Sequence, residues 1–383
     1  MKYLFDDLFL AGVNHVIYHG TCYSPDEAPW PGWLFYASTE MNPRNSIWRD
    51  VPALNAYAAR CQSILQSGQP DNDILLCWPI HDRWHNAKGM APGFTVHARD
   101  WLDGQAIGQL GRRLWKRGYT FDYVSDRQLA SAKAEEKGIV TPGGLYRAVV
   151  VPACEHFPVG SLEKLLTLAE SGTTVVFEQQ LPADVPGWAE LERRRDALKR
   201  RLATLNFSGA AAGPIKEARL GRGRVLVGEA EAALVAVKVR REAMTDHEGL
   251  CCFRRSFEGG RHRFIANRGD KPFDGWLPLA TVAKSVGVMD PMTGRTGVGV
   301  VRKGKGGTTE TYVQLQPGES IILKAFSAQT VTGNVWTWWQ NAGRPAEVQG
   351  TWQVKFIQGG PQLPPPSQTA KLASWTELGG EEA

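Results

Sequence analysis

The 383-residue sequence has no Cys-x-x-Cys pair; its six cysteines are Cys22, Cys61, Cys77, Cys154 and the adjacent Cys251 and Cys252. That spacing argues against a paired-thiolate zinc site and a disulfide framework, since neighbouring cysteines bridge each other only with strain. No run approaches the ~20 apolar residues of a transmembrane helix, so no membrane partner is expected. A secretory leader is missing too: Asp6 and Asp7 interrupt the apolar start Met1-Lys2-Tyr3-Leu4-Phe5, and no small-residue cleavage site follows. The chain is therefore expected to carry no export signal of its own. Phosphate-cradling loops are also lacking. Gly221-Arg222-Gly223-Arg224 precedes its strand, the wrong order for such a loop, so no cofactor is expected in this chain. Charge of one sign is not concentrated either, with a formal net charge of +5. The densest basic run, Arg193, Arg194, Arg195, Lys199, Arg200 and Arg201, falls on an amphipathic helix and reads as a solvated face, which argues against nucleic acid.

What the sequence has in abundance is tryptophan, with 14 residues. Trp30, Trp33 and Trp48 form one cluster, and Trp336, Trp338, Trp339, Trp352 and Trp375 another. Flat aromatic faces stack on sugar rings, and they also fill large cores and domain interfaces. Composition alone does not separate the two.

The chain divides into zones. Gly12 to Gly20 is a short apolar run between glycines and reads as a buried strand; a Pro-, Trp- and Ser-rich loop follows to about Arg44. Trp48 to Leu65 reads as a helix, with Val51, Leu54, Ala58, Cys61 and Leu65 at three- and four-residue steps, stopped by Gly68 and Pro70. Next, apolar strands at Ile74–Trp78, Phe121–Val124, Ala148–Val151, Thr174–Phe177 and Val225–Val227 alternate with helical stripes. The stripes lie at 102–114, 162–169 and 188–205, with a last helix at Ala232–Met244. Such alternation predicts a parallel sheet covered on both faces, a flavodoxin-like layout. From about Leu250 to Phe326, short strands at 251–257, 261–267, 312–315 and 320–325, separated by turn signals, predict an antiparallel sandwich. The Trp-, Gln- and Pro-rich remainder reads as the start of another β domain.

Candidate chemistry is sparse. His81 and His85 stand four apart, a ligand spacing on a helix, yet they fall in an expected loop with no third ligand nearby, so no metal site is assigned. Asp26, Glu27 and Glu40 share one loop. Glycoside hydrolysis needs two carboxyl groups flanking the bond, usually from different strand ends, so three acids on one loop do not supply the pair. No residue is assigned as catalytic. The strongest local feature is Asn14-His15-Val16-Ile17-Tyr18-His19-Gly20-Thr21. At the carboxyl end of a barrel strand such polar rings can bind sugar hydroxyls. His19 is read as a site residue, and His15, placed deeper, as structural.

The block Gly12-Val-Asn-His-Val-Ile-Tyr-His-Gly-Thr-Cys-Tyr-Ser-Pro25, with Ala28-Pro-Trp-Pro-Gly-Trp33, resembles the end of the catalytic barrel in glycoside hydrolase family 106, the α-L-rhamnosidases. Asn55-Ala-Tyr57, Pro70-Asp-Asn-Asp73, Pro79-Ile-His-Asp82, Asp290-Pro-Met-Thr-Gly294 and Leu315-Gln-Pro-Gly-Glu-Ser320 resemble the same family, and Trp352-Gln-Val-Lys-Phe356 with Ser374-Trp-Thr376 resembles the opening of a sugar-binding jelly roll. Cys22 stands where the family usually has Thr, and Cys77 where it usually has an aromatic.

The resemblance implies α/β plus all-β architecture. Residues 1–68 would be the last βα part of a (β/α)8 barrel, opening on the helix of Met1–Phe9, and 69–245 a flavodoxin-like domain. Residues 246–328 would be a β-sandwich, and 329–383 the start of a truncated jelly-roll domain. It further implies a periplasmic or extracellular parent enzyme that removes terminal α-L-rhamnose with inversion and requires calcium. The acid and base would lie upstream of Met1, leaving this chain inactive alone. Substrate contacts would come from His19, Tyr23, Trp30 and Trp33, and the partner would be a rhamnose-containing glycan. The alternatives are a non-catalytic carbohydrate-binding or scaffold protein, and a complete enzyme using Asp26, Glu27 or Glu40.

Overall fold

A computed structural model describes residues 1–90, 99–208, 213–357, 362–374 and 377. Trp375 and Thr376, part of the expected jelly-roll opening, lie outside the described residues.

The runs Ile74–Cys77 and Ala148–Val151 are apolar on both faces, and all eight residues are buried. They form the middle of a seven-stranded sheet in the order Phe121–Val124, Ile74–Cys77, Ala148–Val151, Thr174–Glu178, Gly223–Gly228, Ile215–Leu220, Phe207–Ser208. The first five are parallel and the last two antiparallel. Successive side chains point to opposite faces. Thus Leu75, Val149, Val151, Val175 and Phe177 enter one core with Leu162, Leu165 and Leu198. Ile74, Leu76, Val150, Val176 and Leu226 enter the other with Ile107, Leu110, Leu114 and Leu234. The helices are Ala106–Lys116, Asp126–Ser131, Val159–Glu170, Leu191–Leu202 and Ala230–Ala236. Ser125 and Gln128 close a capping box at the second of these. Two expectations change. The last helix stops at Ala236, and only a short 3-10 turn, Ala243–Asp246, lies near Met244. Trp188 stands outside its expected helix and is 88% exposed.

An antiparallel six-stranded sheet, Gln69–Pro70, Leu250–Phe257, Gly260–Asn267, Ser320–Phe326, Ser285–Met289 and Thr296–Gly299, packs against a three-stranded sheet of Phe273–Leu279, Thr309–Leu315 and Val301–Lys303. Between them lie Leu277, Leu279, Val286, Val288, Val313, Leu315, Ile321 and Leu323. The opposite face of the larger sheet carries the first two helices, α1 (Lys2–Leu10) and α2 (Val51–Leu65). Phe5, Phe9, Tyr57, Cys61 and Leu65 meet Phe264, Ala266 and Ile322 there. Tyr57 donates to buried Asp6 and lies 2.9 Å from Ser320 Oγ.

Gly12–Gly20 corrects an expectation: it forms no strand among the described residues. The segment is extended, but a strand requires hydrogen-bonded neighbours, and here its ties are Val13 N to Leu8 O, Val16 N to Gln62 Oε1 and Gln66 Nε2 to Asn14 O. Val16 and Tyr18 pack on the helices, whereas Ile17 is 81% exposed and His15, expected to lie deeper, is exposed as well. In the tail, Trp352–Val354 and Ser367–Thr369 form a two-stranded pair.

Buried charge joins the two halves. Asp71 and Asp73 follow the first strand of the larger sheet; Arg240 and Glu242 bring the chain back to it. Arg254, fully buried, binds Asp71 at 2.7 Å, Asp73 at 2.5 Å and Glu242 at 3.2 Å. Arg240 and Arg261 reach Asp71 at 2.8 and 2.9 Å, and Arg263 reaches Glu242 at 2.8 Å. Burial by itself would raise the Glu242 pKa, but the facing Arg263 and Arg254 outweigh it and hold the carboxyl at about 2.

Candidate functional site

The loop from His19 to Arg44 is built around one guanidinium. Arg44 donates to Ala28 O at 2.7 Å and Pro25 O at 2.8 Å, while its own carbonyl accepts from Trp30 Nε1 at 3.2 Å. Ser24 Oγ accepts from Trp33 N at 2.8 Å. That approach requires glycine between them: a Cβ on Gly32, whose φ is +96°, would lie 2.5 Å from Ser24 Oγ. Ser38 Oγ donates to Gly20 O at 2.6 Å and accepts from Glu40 N, closing the loop on the extended segment.

This frame holds aromatic rings outward. Tyr23 is 93% exposed, Trp33 61% and Trp30 49%; His19 is exposed and stands edge-on to Phe35 at 6.0 Å. The four residues singled out for sugar contact therefore share one loop and its entry strand segment. Leu34, Phe35 and Tyr36, which sequence reasoning passed over, extend the same exposed stretch.

The acids are arranged differently. Glu40, in a left-handed conformation, accepts from Phe35 N and serves the loop frame. Asp26 and Glu27 are exposed. The loop can present stacking faces and hydroxyl-binding groups; it does not present an enclosed pair of carboxyls.

A second polar cluster lies at the carboxyl ends of the parallel strands, where open α/β sheets usually place ligands. His81 and His85, expected in a loop, are on a short helix, α3 (Ile80–His85). His81 Nε2 meets Asp126 at 2.9 Å, and Asp82 accepts from the His156 amide at 2.7 Å and faces its Nδ1 at 2.8 Å. His85 stacks on His156 at 4.1 Å. These pairs bridge α3 across the strand ends. Sequence spacing found the two histidines on α3 but not Asp126 or His156, which arrive from other strands. Among the described residues no group of three or more His, Cys, Asp or Glu side chains could hold a metal ion. The buried thiols nearby are inert: burial pushes Cys154 up to about 12.

The basic helix Leu191–Leu202 is laced by ion pairs, Arg195 with Asp184 at 2.6 Å and Arg201 with Glu163 at 2.9 Å. None of its helices is long and apolar enough to cross a membrane, among the described residues.

No family model matches the chain. Over 178 residues it is 26% identical to a protein of Formosa agariphila provisionally named a beta-glucuronidase, covering 46% of this chain and 13% of that one. The fold is similar to that of a rhamnosidase from Novosphingobium sp. PP1Y, with a TM-score of 0.71 and 22% identity over 97% of this chain and 33% of the other. A β-galactosidase, Gan42B from G. stearothermophilus, aligns with a TM-score of 0.47 and 11% identity over 76% of this chain and 45% of its own. The chain thus spans a third or less of the first relatives it matches. Its mixed α/β architecture with several sheets is that of the corresponding part of the rhamnosidase.

Proposed function

We propose that the chain is part of a glycoside hydrolase that removes terminal α-L-rhamnose from glycans with inversion, and that it is inactive alone. In this reading residues 1–68 are the last βα part of a (β/α)8 barrel, the parallel sheet is a flavodoxin-like domain, the paired sheets a β-sandwich, and the tail the start of a jelly roll. The observation that carries it is the loop: Tyr23, Trp30 and Trp33 are held outward, with His19 at their root, after an extended segment with no strand neighbours. Likeness in fold to a rhamnosidase over nearly the whole chain supports the same reading.

The loop would stack the sugar's apolar face on Trp30 and Trp33 and orient its hydroxyls through His19 and Tyr23. The general acid and base would come from carboxyls on other strands, because Glu40 is occupied by the loop backbone. We place any calcium of the whole enzyme outside the described residues, where no suitable ligand group exists. We assign the parent enzyme to the periplasm or the extracellular space.

Incubating the purified chain with an aryl α-L-rhamnoside tests this. No hydrolysis above the uncatalysed rate is expected, and turnover that disappears in Glu40→Gln would overturn it. Absence of a carboxyl pair on the loop also favours a second reading, a non-catalytic carbohydrate-binding chain. Rhamnose binding lost in Trp33→Ala, with no hydrolysis even in the gene product extended upstream, would decide for it.

A further inference from the structure

The outer face of the three-stranded sheet lies outside the loop site and is chemically unlike an ordinary solvated sheet. Alternation along Phe273–Leu279 and Thr309–Leu315 sends Leu277, Leu279, Val313 and Leu315 into the core, and Asp274, Trp276, Tyr312 and Gln314 to the other side. Trp276 stands opposite Tyr312, ring to ring at 5.6 Å, and Asp274 opposite Gln314. The Arg302 guanidinium lies 4.2 Å from the centre of the Trp276 ring.

One more ring is held at this face. Trp339 is 83% exposed, yet its backbone is clamped from both sides by one amide: Gln314 Oε1 accepts from Trp339 N at 2.9 Å, and Gln314 Nε2 donates to Trp339 O at 2.8 Å. The same Gln314 Nε2 donates to Asp274 at 3.1 Å, and Asp274 accepts from the Tyr312 hydroxyl. Next to the clamp, Trp338 packs edge-on to Tyr312, and its indole N–H is buried without a partner. An indole left this exposed is not placed there by burial; the polar groups around it fix its backbone.

We propose that this face is a second carbohydrate-binding surface, in which Trp339 and Trp276 stack on neutral pyranose units of a glycan chain. The occupant follows from the pattern. A pyranose is amphipathic, with a C–H face that matches a ring and hydroxyls at its rim that match carboxylate, amide and guanidinium. The face interleaves rings with Asp274, Gln314 and Arg302, whereas a protein-docking patch of this size would present contiguous apolar surface at its centre. Asp274 and Glu310 stand against a single Arg302, which is bound to Glu310 at 2.7 Å, so an anionic glycan gains no charge complementarity. Preorganised aromatic rings bind with little ordering cost. The site does not depend on the rhamnosidase reading, since its residues are separate from the His19–Arg44 loop.

Affinity electrophoresis of the whole chain tests it, with xyloglucan, galactomannan and a neutral α-rhamnan as probes and polygalacturonate as the anionic control. Retardation by at least one neutral polysaccharide is expected, weakened tenfold or more in Trp339→Ala and in Trp276→Ala. Polygalacturonate should leave mobility unchanged. Trp339→Ala removes an exposed ring and should keep the melting temperature; Gln314→Ala, which frees the clamp, should weaken retardation with Trp339 still present. Trp33→Ala should retain it, so loss there with no loss in Trp339→Ala would sink this proposal and leave the loop reading standing. No retardation by any neutral probe would also overturn it. So would a Trp339→Ala protein that changes its sedimentation mass, which would make the face a protein interface.

Discussion

Ala148–Val151 and Gly12–Gly20 are both short runs rich in apolar residues, and the structure treats them in opposite ways. The first has a parallel neighbour on each side and helices over both faces, and none of its residues reaches solvent. The second is extended and half covered: Val16 and Tyr18 lie on α1 and α2, while Ile17 faces outward and no strand pairs with it. Hydrophobicity makes a strand possible; neighbours make it one. The contrast also shows that residues 1–68 are not uniformly loose, because α1 and α2 share a core with the larger antiparallel sheet.

That contrast can be broken or sharpened by substitution. Arg254→Ala should have the largest effect, a loss of about 3–5 kcal/mol in denaturant unfolding, because it leaves Asp71, Asp73 and Glu242 buried without their shared cation. Leu114→Ala, in the core of the parallel sheet, should cost about 2–5 kcal/mol by the same measurement.

Acid should act in two windows. His262 is depressed to about 4 by burial first and then by Lys324 and Arg255. Its contribution is present above 6.5, the ordinary value, and is lost as pH falls through 4. Glu242, at about 2 against 4.5, keeps its contribution above 4.5 and loses it as pH falls towards 2. His262→Gln should flatten only the upper window in urea midpoints measured against pH; an unchanged slope there would refute the assignment. Ile17→Ser and Trp33→Ala should be smallest, within about 0.5 kcal/mol of the parent, because neither side chain is buried. Hydrogen exchange gives the same ranking on the backbone: amides at 15–20 should exchange far faster than those at 148–151 and 174–177. Equal protection in a monomer would erase the comparison.

The parallel strands were legible because each is a continuous apolar run with no polar residue to misplace. Phe273–Leu279 and Ser285–Met289 were not read as strands, since Gly275, Pro278 and Gly287 break the alternation that marks a half-buried strand. The ring cluster on His19–Trp33 could be named from sequence because its members are close along the chain. Whether the rings lie buried or exposed could not, because that depends on what stands beside the extended segment. The charge network was invisible for a different reason: Asp71 and Arg254 are 183 positions apart, and neither has a local pattern that announces its partner.

The network has one more consequence, topological in kind. Gln69 pairs with Ser256, the chain leaves at Asp71, and 169 positions later Arg240 returns to within 2.8 Å of that same carboxylate. The whole parallel sheet is thus sutured into the antiparallel body at a single point. It is a cassette: its two ends meet, its own two cores do not depend on the seam, and what lies outside it, from α1 and the aromatic loop to the larger sheet, forms one continuous surface without it. A short glycine bridge from residue 71 to residue 240 would in principle excise it and leave the rest of the molecule in register, with the bound charges of the suture as the only wound.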